Sequence, residues 1–152
     1  MKIVMFAVFS SLLFFYACSS LVLKPADFAW PVESVAKIGD DGNVQIQRYS
    51  LSFNSKELFL KETGDSLGYQ NKELRVIRNP KGYYFMTAEN FKNVYVFNSD
   101  DGVLKLDNKI EISDSTGIQN PAFNLRPPFI QLNYGNKKVN LTKDGIVEEE
   151  KK

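Results

Sequence analysis

The sequence predicts an all-β fold, a mostly antiparallel sandwich or hairpin meander following an N-terminal signal helix. Three observations carry that prediction. Short apolar runs recur beyond residue 33 and are separated by clusters of Asn, Asp and Gly, the residues that tolerate tight reversals. The runs are rich in Val, Ile, Tyr and Phe, as in Tyr83-Tyr84-Phe85 and Val94-Tyr95-Val96-Phe97, side chains that suit a pleated surface. No stretch after the N-terminal segment sustains a 3.6-residue apolar repeat.

Taken in order, Ser34–Ile38 reads as a short strand and Gly39–Asn43 as a turn. From Val44 a longer strand is expected, with apolar residues at Val44 and Ile46 and then at Tyr49, Leu51 and Phe53. Its period slips by one at Gln47-Arg48, which predicts a bulge or a bend between sheets. A second run from Lys56 closes at Phe59-Leu60, and Thr63–Asn71, with two glycines, reads as a long loop. Leu74–Ile77, the turn Asn79-Pro80-Lys81-Gly82 and Tyr83–Thr87 make a hairpin. Val94–Phe97 is followed by a turn over Asn98–Gly102 and a strand at Val103–Leu106, and Asp107-Asn108 reads as a tight connection to Ile110–Ile112. Ser113–Pro128, with Pro121, Pro127 and Pro128, is expected as a second long loop. Phe129–Asn133, Val139–Leu141 and Ile146-Val147 complete the strands, and the charged tail 148–152 is expected to fray.

The N-terminal stretch MKIVMFAVFSSLLFFYACSS has one cation, Lys2, an uncharged run Ile3–Ala17, and then Cys18, the chain's one cysteine. A secretory signal needs a positive start, roughly 7–15 apolar residues and small residues before the cut; Lys2, Ile3–Tyr16 and Ala17 supply these parts. The Ala17-Cys18 pair makes the segment resemble a bacterial lipoprotein signal. Phe15 and Tyr16 stand where that family usually has an aliphatic and a small residue. The resemblance implies cleavage between Ala17 and Cys18 and acylation of Cys18, and two or more acyl chains suffice for stable membrane anchoring. Ser19 occupies the place where an aspartate would, in many bacteria, signal inner-membrane retention, so the resemblance implies the outer membrane. Two other readings stand beside this one: an uncut membrane helix over Ile3–Leu23, near the roughly 20 apolar residues a span needs, or an ordinary cleavage that releases a soluble product.

The resulting division is a signal peptide over 1–17, an acylated cysteine and tether over 18–33, a β domain over 34–147 and a tail over 148–152. The tether holds Lys24-Pro25 and Trp30-Pro31, which bias the backbone toward extended conformations. Its aromatics Phe28 and Trp30 are expected to dock on the domain. About 135 residues remain after the signal, enough to bury a core without disulfides or metal.

Composition narrows the chemistry. Of 19 Lys and Arg residues, 18 remain once Lys2 leaves with the signal, against 18 Asp and Glu. That balance leaves no basic excess for a phosphate backbone, so nucleic acid is not an expected partner. The chain has no histidine, and acylation would consume Cys18. Ser-His-Asp and Cys-His nucleophile sites and Cys/His zinc sites are therefore excluded. Carboxylate-pair hydrolysis or an oxygen-ligand metal site stays open, but no catalytic residue, metal ligand or cofactor is assigned.

Candidate contacts lie in the central hairpins. Tyr83–Met86 and Val94–Phe97 are apolar on both faces, where alternation would leave one face polar. They are read either as central strands with a second cover or as an aromatic surface, with Tyr84, Tyr95 and Phe97 contacting a partner protein or glycan. Asp40-Asp41 and Asp100-Asp101 sit beside glycines and are read as turn formers. Asn124–Phe129 is read as a rigid connector rather than as a polyproline ligand. Gly82–Leu106 resembles part of a β-propeller blade, without a second copy. Asp65-Ser66-Leu67 and Asp114-Ser115-Thr116 resemble acceptor triplets for bacterial protein O-glycosylation at Ser66 and Ser115. The expected function is a lipid-anchored envelope protein whose β domain binds or scaffolds another envelope protein, without catalysis. The alternative is a carbohydrate-binding or carboxylate-dependent carbohydrate-processing lipoprotein.

Overall fold

The computed structural model describes residues 33–100, 103–113 and 116–147. Residues 1–32, on which the expected signal segment with Ala17 and Cys18 and the expected tether fall, lie outside them, as do Asp101-Gly102, Asp114-Ser115 and the tail 148–152.

Among the described residues, eleven strands and one α-helix follow one another: β1 (Ser34–Lys37), β2 (Asn43–Ile46), β3 (Leu51–Asn54), α1 (Lys56–Thr63), β4 (Glu73–Arg78), β5 (Tyr84–Ala88), β6 (Asn93–Asp100), β7 (Val103–Glu111), β8 (Ala122–Arg126), β9 (Phe129–Tyr134), β10 (Lys137–Thr142) and β11 (Gly145–Val147). They form a five-stranded sheet in the order β1-β4-β5-β6-β7, a four-stranded sheet β11-β10-β9-β8 and a β2-β3 ribbon. All pairings are antiparallel. The predicted all-β antiparallel class is what the chain adopts.

The five-stranded sheet is covered on both faces, which explains its doubly apolar strands. Register aligns Val76 with Met86 and Tyr95, and Arg78 with Tyr84 and Phe97, on one face. Ile77, Phe85 and Val96 align on the other. The first face is covered by α1 and the β2-β3 ribbon. Tyr49 meets Tyr84 edge-on at 5.5 Å, and Phe59 of α1 meets Phe91 at 4.8 Å. The second face receives the four-stranded sheet. Glu33 ties the two sheets, accepting from Arg75 Nη1 at 3.2 Å and from the Phe123 N–H at 2.8 Å. At the other end, Asn108, aligned with Val96, donates to the Lys143 carbonyl at 2.9 Å. Phe85, Val96, Leu132 and Leu141 are fully enclosed in one core with Phe59 and Phe91. Burying each such side chain contributes about 1.5–3 kcal/mol.

Four local expectations are corrected. The period slip at Gln47-Arg48 is neither a bulge nor a bend: Gln47–Tyr49 is a 3-10 turn, Ser50 is left-handed at φ 52°, and β3 folds back to pair with β2. The run from Lys56 is a helix. It closes on Gly64, left-handed at φ 74°, whose N–H donates to Leu60 O, and Glu57 and Lys61 pair one turn apart at 3.1 Å. Asn98–Asp100 belong to β6 rather than to a turn, aligned with Lys105, Leu104 and Val103. Nor does Asp107-Asn108 reverse the chain: Phe97 aligns with Leu106 and Val96 with Asn108, so Asp107 is the extra residue of a bulge within β7.

The second long loop is also shorter than expected. Ala122–Arg126 pairs with β9, and Pro127-Pro128, joined by a cis peptide bond, make the turn between Arg126 and its partner Phe129. The prolines bound a strand instead of interrupting one. The part of the loop before β8 is pinned: Asn90 N–H donates to Ile118 O at 2.9 Å, Ile118 N–H donates to Phe91 O, and the Ile118 side chain is fully buried.

Candidate functional site

The β6–β7 hairpin is longer than the elements that cover it. A helix of eight residues spans about 12 Å, and α1 is fixed over the inner part of the hairpin by Glu62. That carboxylate accepts from Lys92 N–H at 2.8 Å, from the Asn93 side-chain amide and from Tyr95 OH at 2.7 Å. Beyond Tyr95 the bulge opposite Val96 and Phe97 strengthens the local twist and redirects the outer part. Between the N-terminal turn of α1 and this outer part lies a groove of about 250 Å³.

One wall is Phe53 and Asn54 of β3 with Glu57, Leu58 and Lys61 of α1; the floor and far wall are Met86, Tyr95, Phe97, Leu104 and Leu106. Its apolar lining grades from buried to open: Met86 and Tyr95 are buried, Phe97 and Leu104 are half-buried, and Leu106 is 52% exposed. Val103, one position from Leu104, is 57% exposed. Leu104, Leu106 and Phe97 share the face that α1 covers further in. The rim is charged but weakly held. The Glu57–Lys61 pair is largely solvated, with side chains 80% and 61% exposed, and such a pair contributes only a few tenths of a kcal/mol. A partner could displace it at small cost. On the outer side of the hairpin, Asp100 and Lys105 pair across the strands at 2.6 Å.

Of the three aromatic residues expected at a surface, Tyr95 and Phe97 line the groove and, of these two, Phe97 is the one partly open to water. Tyr84 is buried, packed against Tyr49 and under the Arg78 guanidinium at 5.4 Å. Tyr95 is buried too, its hydroxyl used by Glu62. Burial first, then the hydrogen bond and the negative charge of Glu62, push its pKa well above the ordinary tyrosine range. Phe97 stacks on Tyr95 at 6.5 Å and 24° and presents the rest of its ring to the groove. Sequence reading missed Leu58, Leu104 and Leu106. The available signal was Val103-Leu104-Lys105-Leu106, an apolar alternation in a strand that ends a sheet.

The other predicted positions are placed as follows. Asp41 is a turn former, accepting from the backbone N–H of Asn43 at 3.0 Å and from its side-chain amide. Those bonds, the backbone one first, hold its carboxyl below the usual carboxylate range. Asn54 spans the same turn, donating to Asp41 O at 3.0 Å. Ser66 is exposed in the turn after α1, with Asp65 accepting from Leu67 N–H at 2.9 Å, and Ser115 lies outside the described residues. Among the described residues, no three His, Cys, Asp or Glu side chains gather as a metal site. Among them, too, no helix is long and apolar enough to cross a membrane.

No protein-family model, characterised protein or solved structure matches this chain.

Proposed function

We propose that the chain is a lipid-anchored protein of the bacterial cell envelope, most simply of the outer membrane, whose β domain binds or scaffolds another envelope protein through the groove beside α1. The observation that carries this reading is the groove itself. It is an apolar concavity that runs from the buried Met86 through the half-buried Phe97 and Leu104 to the exposed Leu106. Large apolar residues open to water beside a concave wall suit a docking surface. The lipid anchor rests on Lys2, the uncharged run Ile3–Ala17 and the Ala17-Cys18 pair.

The carbohydrate reading draws less support. It calls for an exposed aromatic platform beside two carboxylates roughly 5–10 Å apart. The groove offers one partly exposed aromatic ring, Phe97, and one carboxylate, Glu57, already paired with Lys61.

The test is crosslinking and co-purification from the envelope of the source bacterium, comparing the native chain with Cys18→Ala and with Leu106→Glu. A stoichiometric partner that needs both the anchor and the apolar groove is the expected result. A partner recovered equally with Leu106→Glu contradicts the groove. A native chain that takes up no labelled fatty acid at Cys18 contradicts the lipid anchor.

A further inference from the structure

The described chain starts beside an open sheet edge. β8 pairs with β9 alone among the described strands, and the Phe123 N–H turned away from β9 is met not by another strand but by the Glu33 carboxylate at 2.8 Å. Glu33 is itself held by Arg75, and its side chain is 15% exposed. The residues immediately before Glu33 therefore leave from a fixed point next to the β8 edge. Apolar surface lies at that point. Val35, two residues on and aligned with Arg75, is 45% exposed, and Leu125 on β8 is half-buried. The segment arriving there is Phe28-Ala29-Trp30-Pro31. Its two aromatics are spaced to share one side of an extended chain. Pro31 biases Trp30 toward that conformation and is tolerated at a sheet edge, where its missing N–H leaves no ladder bond unmade.

We propose that Phe28–Pro31 docks along the open edge of β8, with Phe28 and Trp30 packed over Val35 and Leu125. Reach selects this surface over the groove. Trp30 is three residues from Glu33, about 10 Å of extended chain, whereas β1 and β7 are the opposite edges of a five-stranded sheet, about 19 Å apart. The arm covers β8 and leaves the groove open to a partner. Docking also shortens the free tether to residues 19–27, about 30 Å at full extension. The domain is then held close to the membrane by its β8 side, with the groove edge on the opposite side of the sheet. That last consequence rests on the lipid-anchor reading; the docking itself does not and is tested without it.

Trp30 is the sole tryptophan and Cys18 the sole cysteine, so the full chain carrying Cys18→Ser can be labelled at one chosen site. A nitroxide is attached to Asn124→Cys on β8 or, separately, to Val103→Cys on β7, both exposed positions. Unlabelled chain should show blue-shifted Trp30 emission and slow acrylamide quenching. The label at 124 should remove most of the emission and the label at 103 little. Adding Phe28→Ser should move the emission to the red and weaken quenching from 124 while the far-ultraviolet circular dichroism stays unchanged. Solvent-like emission with free acrylamide access overturns the proposal, as does equal quenching from 124 and 103. Failure here leaves the groove reading standing, because β8 contributes no residue to the groove.

Discussion

The two halves of the β6–β7 hairpin are built from similar residues and meet different fates. In the inner half, Val94, Tyr95 and Val96 are buried, as is Ile110 opposite them. In the outer half, Phe97 and Leu104 are half-buried, while Leu106 and Val103 are more than half exposed. The bulge at Asp107 lies between the halves. An apolar run thus specifies a strand without specifying its burial. Burial depends on what reaches the strand: the four-stranded sheet and α1 cover the inner half, and the helix ends before the outer one. The groove is the consequence.

The contrast should appear most strongly as stability. Phe85→Ala, removing a fully buried ring from β5 beside the inner half, should cost about 3–5 kcal/mol, measured as a fall in the urea midpoint. Gly117→Ala should come next. Gly117 has φ 72°, and an added Cβ would stand 2.6 Å from the Asn90 carbonyl oxygen, so the loop that seats Ile118 must shift. A loss of about 1–3 kcal/mol is expected, with amide exchange at Asn90 and Ile118 accelerated.

Tyr95→Phe probes the clamp that holds α1 over the inner half. It leaves Glu62 with two of its three donors and should cost about 1–2 kcal/mol at neutral pH. It should also change the alkaline limb. The raised folded pKa of Tyr95 supplies stability that is full below the unfolded tyrosine value of about 10 and is lost as pH climbs toward the folded one. The native urea midpoint should therefore drop as pH rises above about 10, and Tyr95→Phe should flatten that part of the fall. Leu106→Ser should be the mildest change, within about 0.5 kcal/mol, because more than half of the residue is already in water. A large loss there would mean that the outer half is core and that the contrast fails.

The legible parts of the chain were those where local chemistry and tertiary structure agree. The hairpin Leu74–Thr87 with its Asn79–Gly82 turn could be read directly, since Asn79 N–H donates to Tyr83 O and Gly82 is left-handed at φ 95°. The central placement of Tyr84 and Tyr95 was one of two readings, and deciding between them needed the long-range cover supplied by α1 and the β2-β3 ribbon. The helix itself was hidden because Leu58-Phe59-Leu60 is a consecutive apolar triplet in two turns, too short to display a period. Phe59 is buried, Leu58 is half-buried, and Leu60 is 45% exposed. Ser55 stands at the N-cap position but does not cap the helix, its hydroxyl donating instead to Gly42 O at 3.0 Å. The bulge at Asp107 imitated a two-residue turn because an Asp-Asn pair serves either conformation. The candidate site was legible at Tyr95 and Phe97. Its other residues come from β3, α1, β5 and β7, and nothing local in the chain brings those elements together.

The most direct measurement of the central claim is amide hydrogen exchange of the chain in its native envelope against the purified protein. The account predicts new protection confined to the outer half, Phe97–Asp100 and Val103–Leu106, and to the first turn of α1, with the inner half equally slow in both states. Identical exchange in the two states, or new protection that spares Leu104 and Leu106, would contradict it.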